Sequence, residues 1–145
     1  MRLVWVSGME SGGPPSGARG ERVDTTVPRR GKTILVVDDD ASILETVGEI
    51  LAQEGYHVVK ATGGEEALAL IRRTKPELIL LDMRMPGMDG WAVARALRER
   101  EIRIPIVVMT AAENAKKWAD EIGAAGHLAK PFELDDLLRS VEERL

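Results

Sequence analysis

The sequence contains no cysteine at any of its 145 positions. This absence excludes disulfide bonds, cysteine-ligated zinc and catalysis by a thiol. Long apolar runs are also missing, because the longest ones have the length of a β-strand, whereas a membrane-spanning helix needs about 20 apolar residues. We therefore expect a cytoplasmic protein with no membrane partner.

Basic residues are in the minority, with 20 Lys and Arg against 24 Asp and Glu, which gives a formal net charge of −4. Proteins that bind nucleic acid by neutralising many phosphates carry the opposite excess. We therefore expect no direct nucleic-acid partner. The length is sufficient for one domain with an apolar core of its own.

The composition of the chain changes near residue 32. Residues 1–31 are rich in Gly, Ser, Pro and Arg, and the run Ser11–Gly17 suits neither a helix nor a strand. We predict that residues 1–31 are a disordered tail and that residues 32–145 are a folded domain.

From Lys32 onwards, short β-branched runs alternate with segments of helical periodicity, which is typical of βαβ units and a parallel sheet. The pattern predicts an α/β domain of the (βα)5 type, with right-handed crossovers that cover both faces of the sheet with helices. The five predicted strands are Ile34–Val37, His57–Val59, Leu78–Leu81, Ile106–Met109 and Gly126–Ala129.

The helices are predicted from apolar stripes and start signals. Ser42 to Glu45 and Thr62 to Glu65 have the Ser/Thr-x-x-Glu form of a capping box, and the first helix is expected to stop near Gly55. The third and fourth helices are predicted at Trp91–Arg100 and Ala115–Ile122. The fifth carries a stripe formed by Leu134, Leu137, Leu138, Val141 and Leu145.

Polar residues follow four of the predicted strands: Asp38-Asp39-Asp40, Asp82, Thr110 and Lys130-Pro131. Ligands of an open parallel sheet bind beyond the carboxyl ends of its strands, so these residues are expected to meet at one edge. Several carboxylates in one crevice repel each other unless a cation compensates, and hard oxygen ligands favour Mg²⁺. We therefore predict a Mg²⁺ site.

Each of these residues also has a plain structural explanation when it is taken alone. Asp40 fits the N-cap of the first helix, Thr110 a helix cap, and Met85-Pro86-Gly87 an ordinary turn. Their joint occurrence after four different strands favours a functional site.

Four segments resemble the receiver domain of two-component response regulators, and the resemblance covers nearly all of residues 32–145. They are ILVVDDD at 34–40, LLDMRMPGMDG at 80–90, MTA at 109–111 and AKPF at 129–132. The resemblance implies a flavodoxin-like (CheY-like) three-layer sandwich with strand order 2-1-3-4-5. It also implies a cis Lys130–Pro131 bond.

The same resemblance implies the chemistry of the site. Asp82 is the implied phosphoacceptor, and Mg²⁺ is held by Asp39, Asp82 and the backbone carbonyl of Arg84, with Asp38 assisting through water. Lys130 offsets charge on the phosphoryl oxygens, and Thr110 offers its hydroxyl to one of them. The chain is then a switch that catalyses its own phosphorylation and dephosphorylation, not a conventional turnover enzyme.

Three features depart from the family pattern. His127 occupies a switch position that often holds an aromatic residue, and we expect it to be half-buried on the sheet rather than a dedicated pH sensor. Arg84 is expected to reach over the site and alter the rate of hydrolysis. The segment from Thr110 to His127 is about two residues short, so the fourth helix is expected to start late or to be reshaped.

The expected partners are proteins, because the chain ends with the fifth helix. A histidine kinase or a histidine phosphotransfer protein would dock near the first helix. A target would read the face made by the fourth helix, the fifth strand and the fifth helix, and the protein would be a monomer or a weak phosphorylation-linked dimer.

Three other interpretations remain open at this point. Asp38-x-Asp40 also matches the nucleophile motif of haloacid-dehalogenase-type phosphotransferases, in which Asp38 would carry the phosphate. A degenerate receiver could serve only as a constitutive interaction module, but Asp39, Asp82, Thr110 and Lys130 are all present. A flavodoxin-like flavin protein is least favoured, because carboxylates follow the first strand.

Overall fold

The computed structural model describes residues 31–145, so the predicted disordered tail lies outside the described residues except for Gly31. Residues Thr33–Leu145 form one compact unit in which strands and helices alternate. The predicted (βα)5 order is confirmed. The elements are β1 Thr33–Val37, α1 Ala41–Gln53, β2 His57–Ala61, α2 Gly64–Thr74, β3 Leu78–Asp82, α3 Gly90–Glu99, β4 Ile106–Ala111, α4 Ala112–Ile122, β5 Gly126–Lys130 and α5 Leu134–Glu142.

The five strands form one parallel sheet in the order β2-β1-β3-β4-β5, as the resemblance implied. The central strands β1 and β3 carry apolar residues on both faces, and residues 34–37 and 78–81 are completely buried. A strand that is covered on both faces needs this continuous apolar pattern instead of alternation.

Helices cover both faces of the sheet and divide the core into two clusters. Leu35 and Val37 pack in the cluster beneath α2, α3 and α4. Ile34 and Val36, which point to the opposite face, pack in the cluster beneath α1 and α5. The result is the expected three-layer sandwich, which holds the carboxyl ends of β1, β3, β4 and β5 at one edge.

Both predicted capping boxes were wrong in detail. The N-cap of α1 is Asp40, whose side chain accepts a hydrogen bond from the backbone nitrogen of Ser42, so Ser42 lies inside the helix. At α2 the N-cap is Gly63, and Thr62 pairs with Glu66 instead of Glu65, with a backbone bond of 2.8 Å to Oε1. A carboxylate immediately upstream is the better acceptor at α1 because its oxygen reaches the free N–H groups of the first turn.

The ends of the later helices also differ from the predictions. α4 begins at Ala112, directly after β4, so the expected late start was wrong. α3 begins and ends one residue earlier than predicted. In α5, Leu137 and Val141 are buried as expected, but Leu134 in the first turn is 52% exposed. Among residues 31–145, none of the helices has both the length and the apolar content that crossing a membrane requires.

Candidate functional site

Three carboxylates meet at the edge where β1 and β3 end. Asp38 directly follows β1, and Asp82 is the last residue of β3. One carboxylate oxygen from each of Asp38, Asp39 and Asp82 lies within 4.8 Å of the other two, with Asp38 and Asp82 buried and Asp39 exposed. The neighbouring strands β1 and β3 pair Val37 with Leu81, and this register places the two aspartates side by side.

Asp38 is fixed from two sides. Its Oδ2 accepts a hydrogen bond of 2.7 Å from Nζ of Lys130, and its Oδ1 accepts one of 2.9 Å from the backbone nitrogen of Asp40. The side chain of Asp38 is only 1% exposed. A carboxylate at this depth needs such partners, because burying an unpaired charge is costly.

Lys130 brings positive charge to the carboxylates from the end of β5. Its Nζ lies 3.7 Å from Oδ1 of Asp82, in addition to its shorter contact with Asp38. Burial alone lowers the pKa of Lys130, but the hydrogen bond to Asp38 and the charges of Asp82 and Asp38 outweigh it, so its pKa lies above its ordinary value. Lys130 is therefore a permanent cation at physiological pH. The Lys130–Pro131 bond is cis, as expected.

Asp82 has a raised proton affinity in this cluster. Burial and the charge of Asp38 raise its pKa to about 6, against the opposing effects of Lys130 and of the backbone hydrogen bond from Arg84. One lysine therefore does not compensate the acidic cluster fully. Additional positive charge at this edge would stabilise the ionised form of Asp82.

The raised pKa predicts an unusual pH dependence of stability in the metal-free protein. Because the folded-state pKa of Asp82 exceeds its unfolded value, this group favours folding at low pH, and the contribution is lost as the pH rises through about 6. We expect Asp82→Asn, which cannot ionise, to exceed the wild type by about 2 kcal/mol in free energy of unfolding at pH 8.

Urea denaturation in the presence of EDTA measures this difference. The advantage of Asp82→Asn should shrink towards zero as the pH is lowered from 8 to 4.5. An advantage of the same size at both pH values would show that ionisation of Asp82 is not its cause.

The other predicted residues lie around this cluster in different environments. Thr110 is buried on β4, opposite Ala129 of β5. His127 is exposed on β5, so the prediction of a half-buried histidine was wrong. β5 is an edge strand of the sheet, and this leaves His127 more open to solvent than a position on a central strand. The structure thus brings Asp38, Asp39, Asp82 and Lys130 together.

The loop between β3 and α3 packs closely against the end of β3, where Asp82 lies. A Cβ atom at Gly90 would lie 2.6 Å from Sδ of Met83 and 3.0 Å from the backbone oxygen of Asp82, so only glycine allows α3 to start this close to β3. Asp89 caps α3 by accepting a hydrogen bond from the backbone nitrogen of Ala92. Met85-Pro86-Gly87 makes the turn, and Gly87 has a φ of +74°.

Sequence reasoning missed an aromatic cluster beside this loop. The rings of Trp91 on α3 and Trp118 on α4 meet edge to face, with centroids 4.8 Å apart, and the guanidinium of Arg84 lies over the Trp118 ring. Two tryptophans among only five aromatic residues were the available signal, but their contact depends on how α3 packs against α4.

This geometry agrees with comparisons to known proteins. The family model for the response regulator receiver domain matches residues 34–142. The chain belongs to the response regulator receiver family. This receiver domain is therefore a component of two-component or phosphorelay signalling, and membership of the family implies a kinase or phosphotransfer protein as phosphodonor.

Curated relatives include full-length receivers and longer regulators. The receiver is 35% identical over 114 residues to sporulation initiation phosphotransferase F of Bacillus subtilis, covering 77% of this chain and 92% of that protein. It is 39% identical over 113 residues to the positive alginate biosynthesis regulatory protein of Pseudomonas aeruginosa, covering 76% of this chain and 46% of the relative. The chain thus spans about half the length of several relatives.

Solved structures give the same fold. The chemotaxis protein CheY4 of Vibrio cholerae superposes with a TM-score of 0.72 at 33% identity, covering 79% of this chain and 99% of that one. A putative response regulator from Chloroflexus aurantiacus gives a TM-score of 0.73 at 34% identity, covering 79% and 98% of the two chains. The CheY-like fold is thereby confirmed.

Proposed function

We propose that this receiver is a Mg²⁺-dependent switch that accepts a phosphoryl group on Asp82 from a histidine kinase or a histidine phosphotransfer protein. The observation that carries the proposal is the position of Asp82, buried at the end of β3 within one cluster with Asp38 and Asp39, with Nζ of Lys130 only 3.7 Å away. This set of groups supplies a nucleophile and most of the charge that phosphoryl transfer requires.

The donor set fits a hard divalent cation. Receiver domains bind Mg²⁺ at an acidic pocket, and in this chain Asp38, Asp39 and Asp82 form a group of carboxylates in which burial and then the charge of Asp38 raise the pKa of Asp82. We assign the ligands to Asp39, Asp82 and the backbone carbonyl of Arg84, with Asp38 acting through water. Bound Mg²⁺ would offset the repulsion between the phosphoryl group and the carboxylates.

The side chains of the domain perform the remaining steps. An oxygen of Asp82 attacks phosphorus, and the donor group departs with the bonding electrons. Lys130 is already close to that oxygen and pairs with the phosphoryl oxygens. The buried hydroxyl of Thr110 donates to one of them, which draws Thr110 inwards and marks the switch. Hydrolysis in the same site resets Asp82, so the protein acts as a self-resetting switch and not as a turnover enzyme.

The output is proposed to be a change in protein contacts on the face made by α4, β5 and α5. This face carries His127 on β5 and the exposed Leu134, which is the kind of apolar group that a protein partner covers. Phosphorylation would shift an existing equilibrium towards the form that binds a target. The proposed phosphodonors work in the cytoplasm, and we propose that location for the receiver.

The first test is incubation with acetyl phosphate, with and without Mg²⁺, followed by intact-mass measurement. We expect a gain of one phosphoryl group that requires Mg²⁺. Borohydride reduction and peptide mapping should place the modification on Asp82, because reduction converts an aspartyl phosphate into a stable homoserine.

The alternatives give different results in the same test. A label on Asp38 would support the dehalogenase-type reaction, although Asp38 is 1% exposed and bonded to Lys130, which makes it a poor nucleophile. No label, together with no binding of beryllofluoride, would identify a constitutive interaction module.

A further inference from the structure

The side chain of Arg84 rests on an aromatic ring of α4. Its Cζ lies 5.8 Å from the centroid of the Trp118 ring, and Arg84 makes no ion pair with a carboxylate among residues 31–145. The π face of an indole is the strongest aromatic partner for a guanidinium. Trp118 is therefore the main partner of this cation within the described part of the chain.

Trp118 is a rigid platform. It packs against the core cluster beneath α2, α3 and α4, and the Trp91 ring meets it edge to face at an interplanar angle of 67°. Trp91 is itself anchored, because its Nε1 donates a hydrogen bond of 2.9 Å to Oε1 of Glu121 on α4. The contact between the Arg84 guanidinium and the Trp118 ring thus links Arg84 to α4.

Arg84 is also next to the phosphoacceptor. Its backbone nitrogen lies 3.5 Å from Oδ1 of Asp82. The guanidinium, at the end of the long arginine side chain, can therefore reach a phosphoryl group bound to Asp82. A guanidinium forms stronger, charge-assisted bonds to a phosphoryl group than to the face of a partly exposed indole. The two partners, the ring and the anion, compete for one cation.

We propose that Arg84 couples α4 to Asp82 by exchanging partners: its guanidinium rests on Trp118 when Asp82 is unmodified and turns to the anion when Asp82 is phosphorylated. This inference rests on the proposed function of Asp82. Arg84 is a positioning residue for α4 and a ligand for the modified state. By linkage, the Trp118 ring weakens binding of the anion, and the anion releases Trp118 and with it one restraint on α4.

A double-mutant cycle with beryllofluoride and Mg²⁺, measured by isothermal titration on the full chain, tests the exchange. Trp118→Leu removes the competing ring, and we expect it to tighten beryllofluoride binding roughly two- to fivefold, the equivalent of an exposed cation–π contact. Arg84→Gln should weaken binding. In the Arg84→Gln background, Trp118→Leu should have no further effect, because no cation is left to release.

Two further measurements separate this coupling from a general structural effect. Trp118→Tyr, which keeps an aromatic face, should bring the affinity back towards that of the wild type. In the NMR spectrum, the side-chain protons of Arg84 should show an upfield ring-current shift in the free protein that is lost when beryllofluoride is added.

The outcomes are distinct. An equal effect of Trp118→Leu in both backgrounds, or a ring-current shift that persists with beryllofluoride bound, would overturn the exchange while leaving phosphorylation of Asp82 intact. If the wild type binds no beryllofluoride with Mg²⁺, the proposed function fails and the exchange fails with it.

Discussion

Lys130→Met is expected to lower the free energy of unfolding of the metal-free receiver by about 3 kcal/mol at pH 7. The wild-type Nζ lies 2.7 Å from Oδ2 of Asp38, whose side chain is 1% exposed, and 3.7 Å from Asp82. Methionine keeps most of the length of the side chain but leaves two buried carboxylates without a cation. The large cost arises because one partner of a buried pair is removed while the other stays.

Urea denaturation of the two proteins in EDTA measures this loss. The matched control is Lys116→Met, which breaks the ion pair with Asp120 on the surface of α4, where the two side chains are 78% and 68% exposed. Such pairs contribute at most about 1 kcal/mol, and much of that is screened by solvent. Equal losses in the two variants would contradict the claim that burial makes Lys130 important.

Mg²⁺ should raise the free energy of unfolding of Lys130→Met by more than it raises that of Lys116→Met. A divalent cation at Asp38, Asp39 and Asp82 supplies the charge that the missing lysine no longer provides. The same variant should accept the phosphoryl group more slowly, because its phosphoryl oxygens lack a counter-charge.

The fold followed from patterns that act over short distances. The runs at residues 34–37 and 78–81 are short and apolar at every position, which is typical of a strand in the middle of a sheet that is covered on both faces. The carboxyl ends of such strands lie at one edge by topology, so Asp38, Asp82 and Lys130 could be predicted to meet without any knowledge of side-chain geometry.

Details that depend on competing partners could not be predicted in this way. Lys130 has two carboxylates within reach, and its Nζ lies 2.7 Å from Asp38 but 3.7 Å from Asp82, a difference that the order of the strands does not predict. The cap of α1 is a similar case, because Asp40 and Ser42 both suit an N-cap and the geometry of the turn decides between them.

Side-chain contacts between segments that are distant in the sequence could not be predicted at all. Arg84 and Trp118 are separated by 34 positions and meet only because α4 starts directly after β4 and packs beside α3. The structure places the guanidinium of Arg84 over the Trp118 ring, and its reach over the site stays a prediction.

Asp82→Asn is expected to abolish acceptance of the phosphoryl group, with a fall of at least ~100-fold in the rate of labelling by acetyl phosphate and Mg²⁺. An amide offers no carboxylate oxygen to attack phosphorus, and it is a weaker ligand for Mg²⁺. The fold should persist, because the substitution preserves size in a position where charge is a burden. The loss of labelling would then reflect chemistry and not unfolding.

Two asparagine variants of neighbouring aspartates sharpen this result. Asp39→Asn removes a carboxylate from the cluster and should slow labelling, because Mg²⁺ then binds more weakly. Asp40→Asn should label like the wild type, because Asp40 caps α1 and asparagine is an equally good N-cap. Labelling that survives in Asp82→Asn, mapped to Asp38, would make Asp38 the nucleophile. Because Oδ2 of Asp38 accepts a hydrogen bond from Lys130, that result would also require this ion pair to open during the reaction.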